Sequence, residues 1–169
     1  MYSLNVPVPS HVASAASEVA RQLPRAEIRN RGEHTLGVKR LARDRNTPYS
    51  RLEAQTRELL RGQPPFEARI SEVAVFENPP VGTAPVVYFA VESPELVALH
   101  ERLAETFGIV SEAVEGDNYS PHVTIARGGS REMAERVAGD IEPMTWAIEE
   151  LIFWDATHNQ PVSTVSLPA

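Results

Sequence analysis

The chain has no cysteine. That excludes disulfides and thiolate metal sites, and it removes any sign of an oxidising compartment. Lysine is nearly absent too: Lys39 is the only one among the 16 basic residues. Arginine suits bidentate phosphate contact, although GC-rich coding or salt adaptation explains the bias as readily. No apolar run approaches the ~20 residues that a membrane-crossing helix needs. The opening "MYSLNVPVPS" has no basic region followed by an apolar stretch, so no secretory signal is expected and the cytoplasm is the expected location. Positive charge is in deficit, with a net charge of −7. This argues against a general nucleic-acid coat but leaves room for a local basic cleft that takes one phosphate. With 169 residues, 42% of them hydrophobic, the chain can bury a core as a single domain over residues 1–169. A monomer is expected.

Strand-like and helix-like segments interleave. "YSLNVPV" alternates as a strand does, and "SHVASAASEVARQLP" carries apolar residues at helical spacing behind Ser10. "HTLGVKRL" reads as a short strand, "RDRNTPYS" as a polar loop and "RLEAQTRELLRG" as a helix. "PFEARISEVAVFEN" predicts a strand kinked near its middle, and "VVYFAVES" a buried strand. "SPELVALHERLAETFG" has a cap, a proline in the first turn and a closing glycine, which together define a helix. "SREMAERVAGDI" reads as an amphipathic helix, and "TWAIEELIFWDAT" with "PVSTVSL" as a closing hairpin. The connections are too short for a doubly wound parallel sheet, so a mostly antiparallel α+β fold is expected. Two half-patterns, each of strand, helix and strand, suggest an internal duplication.

The candidate chemistry lies in "YSPHVTIARG". His122 and Thr124, two residues apart, share one face of a strand that ends in Arg127. "EHTLGVKRL" answers it half a chain earlier, where His34 heads another strand. Cleaving or forming a phosphodiester needs one group to take a proton and another to give one, and imidazole does either near neutral pH. A hydroxyl on the same face donates to a phosphate oxygen, and an arginine neutralises the charge that develops there. His11, at a helix start, His100, in mid-helix, and His158, in a turn, read as surface residues. No metal-ligand spacing is present. Arg25, Arg29 and Arg31 line either an RNA path or a solvated loop.

"SPHVTIAR" resembles the second signature of the two-histidine (2H) phosphoesterase superfamily, nearest to its branch of 2′–5′ RNA ligase-like proteins and RNA 2′,3′-cyclic phosphodiesterases. "HTLGVKRL" resembles the first signature less well. The resemblance implies a bilobed α+β fold with pseudo-twofold symmetry and a central cleft that carries both histidine motifs. It implies His34 and His122 as general acid and base and Thr124 and Arg127 as phosphate ligands, with Thr35 a further candidate ligand. Tyr119, the aromatic ahead of the motif, either stacks a base or packs in the core. No metal and no cofactor is implied. The substrate implied is an RNA 3′ end or a small cyclic nucleotide, hydrolysed or joined, and a non-catalytic binding module is the alternative.

One departure stands out. The family's hydroxyl lies two residues after its histidine, where this chain has Leu36, and Thr35 follows His34 directly. Either a bulge beside His34 turns Thr35 into the cleft, or this half has lost its hydroxyl. Lys39 or Arg40, on the same strand, is a source of compensating charge.

Overall fold

The computed structural model describes residues 1–41 and 46–169, so part of the loop expected over "RDRNTPYS" lies outside the described residues. Its strands are β1 (Tyr2–Pro7), β2 (Glu27–Ile28), β3 (Thr35–Arg40), β4 (Phe66–Phe76), β5 (Val86–Glu92), β6 (His122–Arg127), β7 (Gly139–Ile148), β8 (Glu150–Asp155) and β9 (Gln160–Ser166). The helices are α1 (Ser10–Ala20), α2 (Tyr49–Leu60), α3 (Pro94–Phe107) and α4 (Arg131–Val137). The strands form one sheet in the order β7-β4-β5-β6-β3-β1-β8-β9, with β2 added on β6. Neighbouring strands run antiparallel throughout. This is the expected mostly antiparallel α+β architecture. No helix among the described residues is long and apolar enough to cross a membrane.

The sheet divides into two four-stranded halves that meet at β3 and β6. The junction is narrow: its register holds one pair, Leu36 opposite Val123, and both side chains are fully buried. The succession strand, helix, strand, helix occurs as β1-α1-β3-α2 and again as β5-α3-β6-α4, which makes β3 and β6 counterparts.

The apolar side chains of α1 and α3 join Leu4, Val6, Leu36, Phe89 and Val123 in one core cluster. The helices therefore cover the sheet face that carries Leu36 and Val123. Residues one step out of phase, such as Thr35 and Gly37, are exposed on the other face.

Local chemistry accounts for the clearest elements. Ser93 caps α3 by accepting the Leu96 N–H at 3.3 Å, Pro94 opens its first turn, and Gly108 ends it at φ 73°. The kink expected in β4 is a register shift between Ile70 and Glu72.

Three expectations need correction. The helix read through "SREMAERVAGDI" stops at Val137, because Gly139 and Asp140 pair with Val73 and Glu72 on β4. The strand read through "TWAIEELIFWDAT" is two strands: β7 pairs with β4 in one half, and after Glu149 the chain crosses to the other half, where β8 pairs with β1. His100 is not a surface residue. It is fully buried, its Nδ1–H donates to the Val38 carbonyl at 2.7 Å, and its Nε2 accepts the Gly116 N–H at 2.9 Å.

Candidate active site

On β6 exposure follows the two-residue period. His122 and Thr124 are half-buried on the open face, while Val123 and Ile125 are fully buried on the core face. Arg127, three residues beyond Thr124, would face the core if the strand were regular. It does not, because β6 carries an extra residue there. Tyr88 pairs with Thr124 and Val87 with Ala126, so Ile125 is unpaired with β5 and Val86 then meets Arg127. Val86 shares a face with Tyr88, and Arg127 is thereby returned to the face of His122 and Thr124. Its Nη1 donates to the Val81 carbonyl at 3.0 Å. Gly82 lies against the guanidinium so closely that a Cβ there would stand 2.7 Å from Nη1.

The His122 ring is held on two sides. Its Nδ1–H donates to the Ser120 carbonyl at 2.8 Å, which leaves Nε2 to exchange a proton. Phe76 and Tyr88 stack on each other at 4.1 Å between centroids and meet the imidazole edge-on at 5.8 and 5.6 Å. Burial raises the Tyr88 pKa, so this phenol stays protonated and neutral. Phe76 and Tyr88 were not singled out in the sequence. The available signal was alternation in "VVYFAVES", which puts Tyr88 out of phase with the core residues Val87, Phe89 and Val91.

From Glu33, just ahead of β3, to Val38 exposure alternates: Glu33, Thr35 and Gly37 are exposed, and His34, Leu36 and Val38 are buried. From the Leu36–Val123 pair, one step back on β3 faces one step forward on β6. Thr35 thus lies opposite Thr124, and Gly37 opposite His122, on the open face. No bulge beside His34 is needed for this. The bulge in this half comes later, where Leu4 pairs with Lys39 and Asn5 with Gly37, leaving Val38 as the extra residue. Beyond it Arg40 is exposed opposite Ser3, while Lys39 is buried and donates to Glu115 at 2.9 Å. The charge of Lys39 is therefore spent in the interior.

His34, just ahead of β3, is turned into the interior. It is 7% exposed, and both ring nitrogens are buried with no hydrogen-bond partner. Desolvation by burial, and then the Arg29 charge, lower its pKa, with Glu33 opposing them. His122 is half-buried beside Thr124, whereas His34 is turned into the interior just ahead of Thr35.

A stability prediction follows. His34→Leu removes two unpaired buried polar atoms, and it is expected to raise unfolding free energy by about 1 kcal/mol in denaturant titration. The wild-type protein refuses a proton at His34 that the unfolded chain accepts near pH ~6.5. Stability is then fully present above that pH and falls as pH drops below it. His34→Leu should shorten this fall, leaving the part due to His100, whose pKa burial also lowers.

The remaining candidates are placed as follows. Tyr119 stacks on His100 at 3.9 Å and 9°, and its hydroxyl donates to the Gly37 carbonyl at 2.8 Å. Burial raises its pKa. One ring face is thus taken by His100, and the residue braces β3 beside the position opposite His122. Arg25, Arg29 and Arg31 are exposed. His11 is exposed and edge-on to Trp146, and the exposed His158 pairs with Asp155 at 2.6 Å. Among the described residues no three His, Asp or Glu side chains gather to hold a metal ion. One cavity is lined by Leu23, Arg25, Gly128 and Met133, and another by Val6, Trp146 and Leu167; neither takes in His122, Thr124 or Thr35. His122, Thr124 and Thr35 lie on the side of the sheet away from the core cluster.

Solved structures share this architecture. TT0787 of Thermus thermophilus is 19% identical and superposes with a TM-score of 0.67 over 98% of this chain and 97% of its own. E. coli LigT complexed with 3′-AMP is 16% identical, with a TM-score of 0.66 over 99% of this chain and 98% of its own. E. coli LigT complexed with ATP is 14% identical, with a TM-score of 0.65 over 99% and 97%. No curated protein matches the chain in sequence. Residues 38–160 match the sequence profile of the 2′-5′ RNA ligase superfamily, a stretch that includes β6 and begins just past Thr35. The profile covers well over half of the chain, and the protein belongs to the 2′-5′ RNA ligase superfamily.

Proposed function

We propose that the protein is a phosphoesterase acting on RNA ends, which hydrolyses a terminal 2′,3′-cyclic phosphate or joins 2′–5′ ends in the reverse direction. The observation that carries this reading is the common face of His122, Thr124 and Arg127, with Thr35 opposite Thr124. A phosphate above the threonine pair has a hydroxyl donor from each strand, a guanidinium at one end of β6 and an imidazole at the other. His122 exchanges a proton through Nε2 with an oxygen entering or leaving phosphorus. Membership of the superfamily supports the reaction class, and the nucleotide complexes of E. coli LigT agree with a nucleotide-sized substrate.

A second reading has one specific observation in its favour. With His34 on the core side, one imidazole remains on the open face, as a module that binds an RNA end or a small nucleotide without turnover would have it. Turnover separates the two. Hydrolysis of an oligonucleotide bearing a 2′,3′-cyclic phosphate is expected, and it should persist in excess chelator. Binding with no turnover between pH 5 and 9 would establish the module instead.

The threonine pair gives a finer test. Thr124→Val and Thr35→Val each remove one donor at nearly constant volume. Each is expected to lower kcat/KM by roughly 10- to 150-fold, the range for a hydrogen bond to a charged group. Comparable losses are expected because the two hydroxyls lie opposite each other; a silent Thr35→Val would remove β3 from the site.

A further inference from the structure

We infer that the second proton-transfer group of this face is the carboxylate of Glu33. This rests on the phosphoesterase reading above and deepens it.

Glu33 stands two residues before Thr35, and His122 stands two residues before Thr124. Glu33 leads into β3 and is exposed, as Thr35 is, while His34 between them is buried. β3 and β6 run antiparallel, so two like-spaced pairs meet head to head. Thr35 and Thr124 lie at the centre, with His122 at the start of β6 and Glu33 in the turn that leads into β3, next to where Ile28 takes up the pairing with Ala126. In the chain, each stands two residues before its threonine. A phosphate over the threonine pair would lie between the two groups, with an oxygen on either side. Phosphoryl transfer needs that arrangement, since the entering and leaving oxygens lie in line on opposite sides of phosphorus.

The carboxylate is also held in place. Asn30 donates its backbone N–H to Oε2 of Glu33 at 3.0 Å and its side-chain Nδ2 to the same oxygen at 3.1 Å. Oε1 takes neither bond. A glutamate that only closed the Asn30 turn would show the same two bonds, so a test has to separate the roles.

Oε1 of Glu33 takes a proton from water as the water oxygen bonds to phosphorus. The bond from phosphorus to one ribose oxygen breaks, and that oxygen takes the proton on Nε2 of the protonated His122. Glu33 then releases its proton to solvent, and His122 regains one.

The test uses the full chain and an oligonucleotide ending in a 2′,3′-cyclic phosphate. Glu33→Gln keeps an oxygen for Asn30 but cannot act as a base. It is expected to lower kcat by 10²-fold or more with little change in KM. Glu33→His should recover turnover over Glu33→Gln. Because an imidazole titrates about two units above a carboxylate in water, the acidic limb of its kcat/KM profile should move up by about that amount. His34→Leu should turn over at the wild-type rate. Wild-type rates in Glu33→Gln, or loss of turnover in a folded His34→Leu, would overturn the inference while leaving the phosphoesterase reading intact. A wild-type protein that turns over no cyclic phosphate would sink that reading, and this inference with it.

Discussion

His122→Ala is expected to lower kcat by 10²-fold or more on a 2′,3′-cyclic phosphate and to leave the fold unchanged. The magnitude is that of losing one positioned general acid or base. The expectation that folding survives rests on position. His122 opens β6 on its half-buried face, and its one hydrogen bond is local, to Ser120 two residues earlier. The buried neighbours Val123 and Ile125, which anchor the strand in the core, are untouched. Substrate affinity should change little, because Thr124, Arg127 and Thr35 remain on the face. Single-turnover rates measured beside equilibrium binding separate the two quantities. A variant that loses binding and turnover together would make His122 a phosphate ligand and not a proton carrier.

The largest stability effect is expected at the only lysine. The bulge at Val38 turns Lys39 onto the core face opposite Leu4. There its Nζ donates to Glu115 Oε2 at 2.9 Å and to the Arg40 carbonyl at 2.6 Å, with the lysine side chain fully buried and Glu115 5% exposed. The Val110 N–H also donates to Oε2, at 2.8 Å, while Oε1 is buried and has no partner. Lys39→Met would leave this carboxylate in the interior with its counter-charge gone. Removing one partner of a buried pair costs about 3–5 kcal/mol. In a chain of this length that lowers Tm by roughly 10 °C. The double variant Lys39→Met/Glu115→Leu removes both charges and should recover most of the loss, since well-packed apolar groups replace a buried pair at little cost. A Lys39→Met protein as stable as the wild type would show that solvent reaches the pair.

The same bulge shows why part of this site was beyond a linear reading. In "HTLGVKRL" Lys39 and Arg40 look equally able to serve a cleft, and nothing local says that Val38 has no partner on β1. The pairing with Leu4 and Asn5 decides it, and those residues lie more than thirty positions away. Arg127 is the converse case. In "HVTIAR" its spacing from Thr124 is wrong for one face, and the unpaired Ile125 corrects it. Bulges arise where two strands of different origin are fitted together, so their positions belong to the pair and not to either strand.

By itself the sequence determined the elements with local causes and the residue types of the chemistry. Ser93, Pro94 and Gly108 bound α3 through capping and backbone freedom. The alternation in "HVTIAR" set His122 and Thr124 on a shared face, and the motif around them pointed to the superfamily that residues 38–160 match. In "EHTLGV" a regular strand sets His34 and Thr35 on opposite faces and a bulge would bring them together, which the sequence left open. Tertiary structure alone decided which of those faces is open. The helices cover the side of Leu36 and Val123, and α3 holds β3 from behind through the His100 bond to Val38. That choice buried His34 and His100, exposed Glu33 and Thr35, and set Thr35 opposite Thr124. The physical reason is that burial is a non-local quantity. A strand specifies two faces by its pleat, but which one water leaves depends on helices that arrive from elsewhere in the chain.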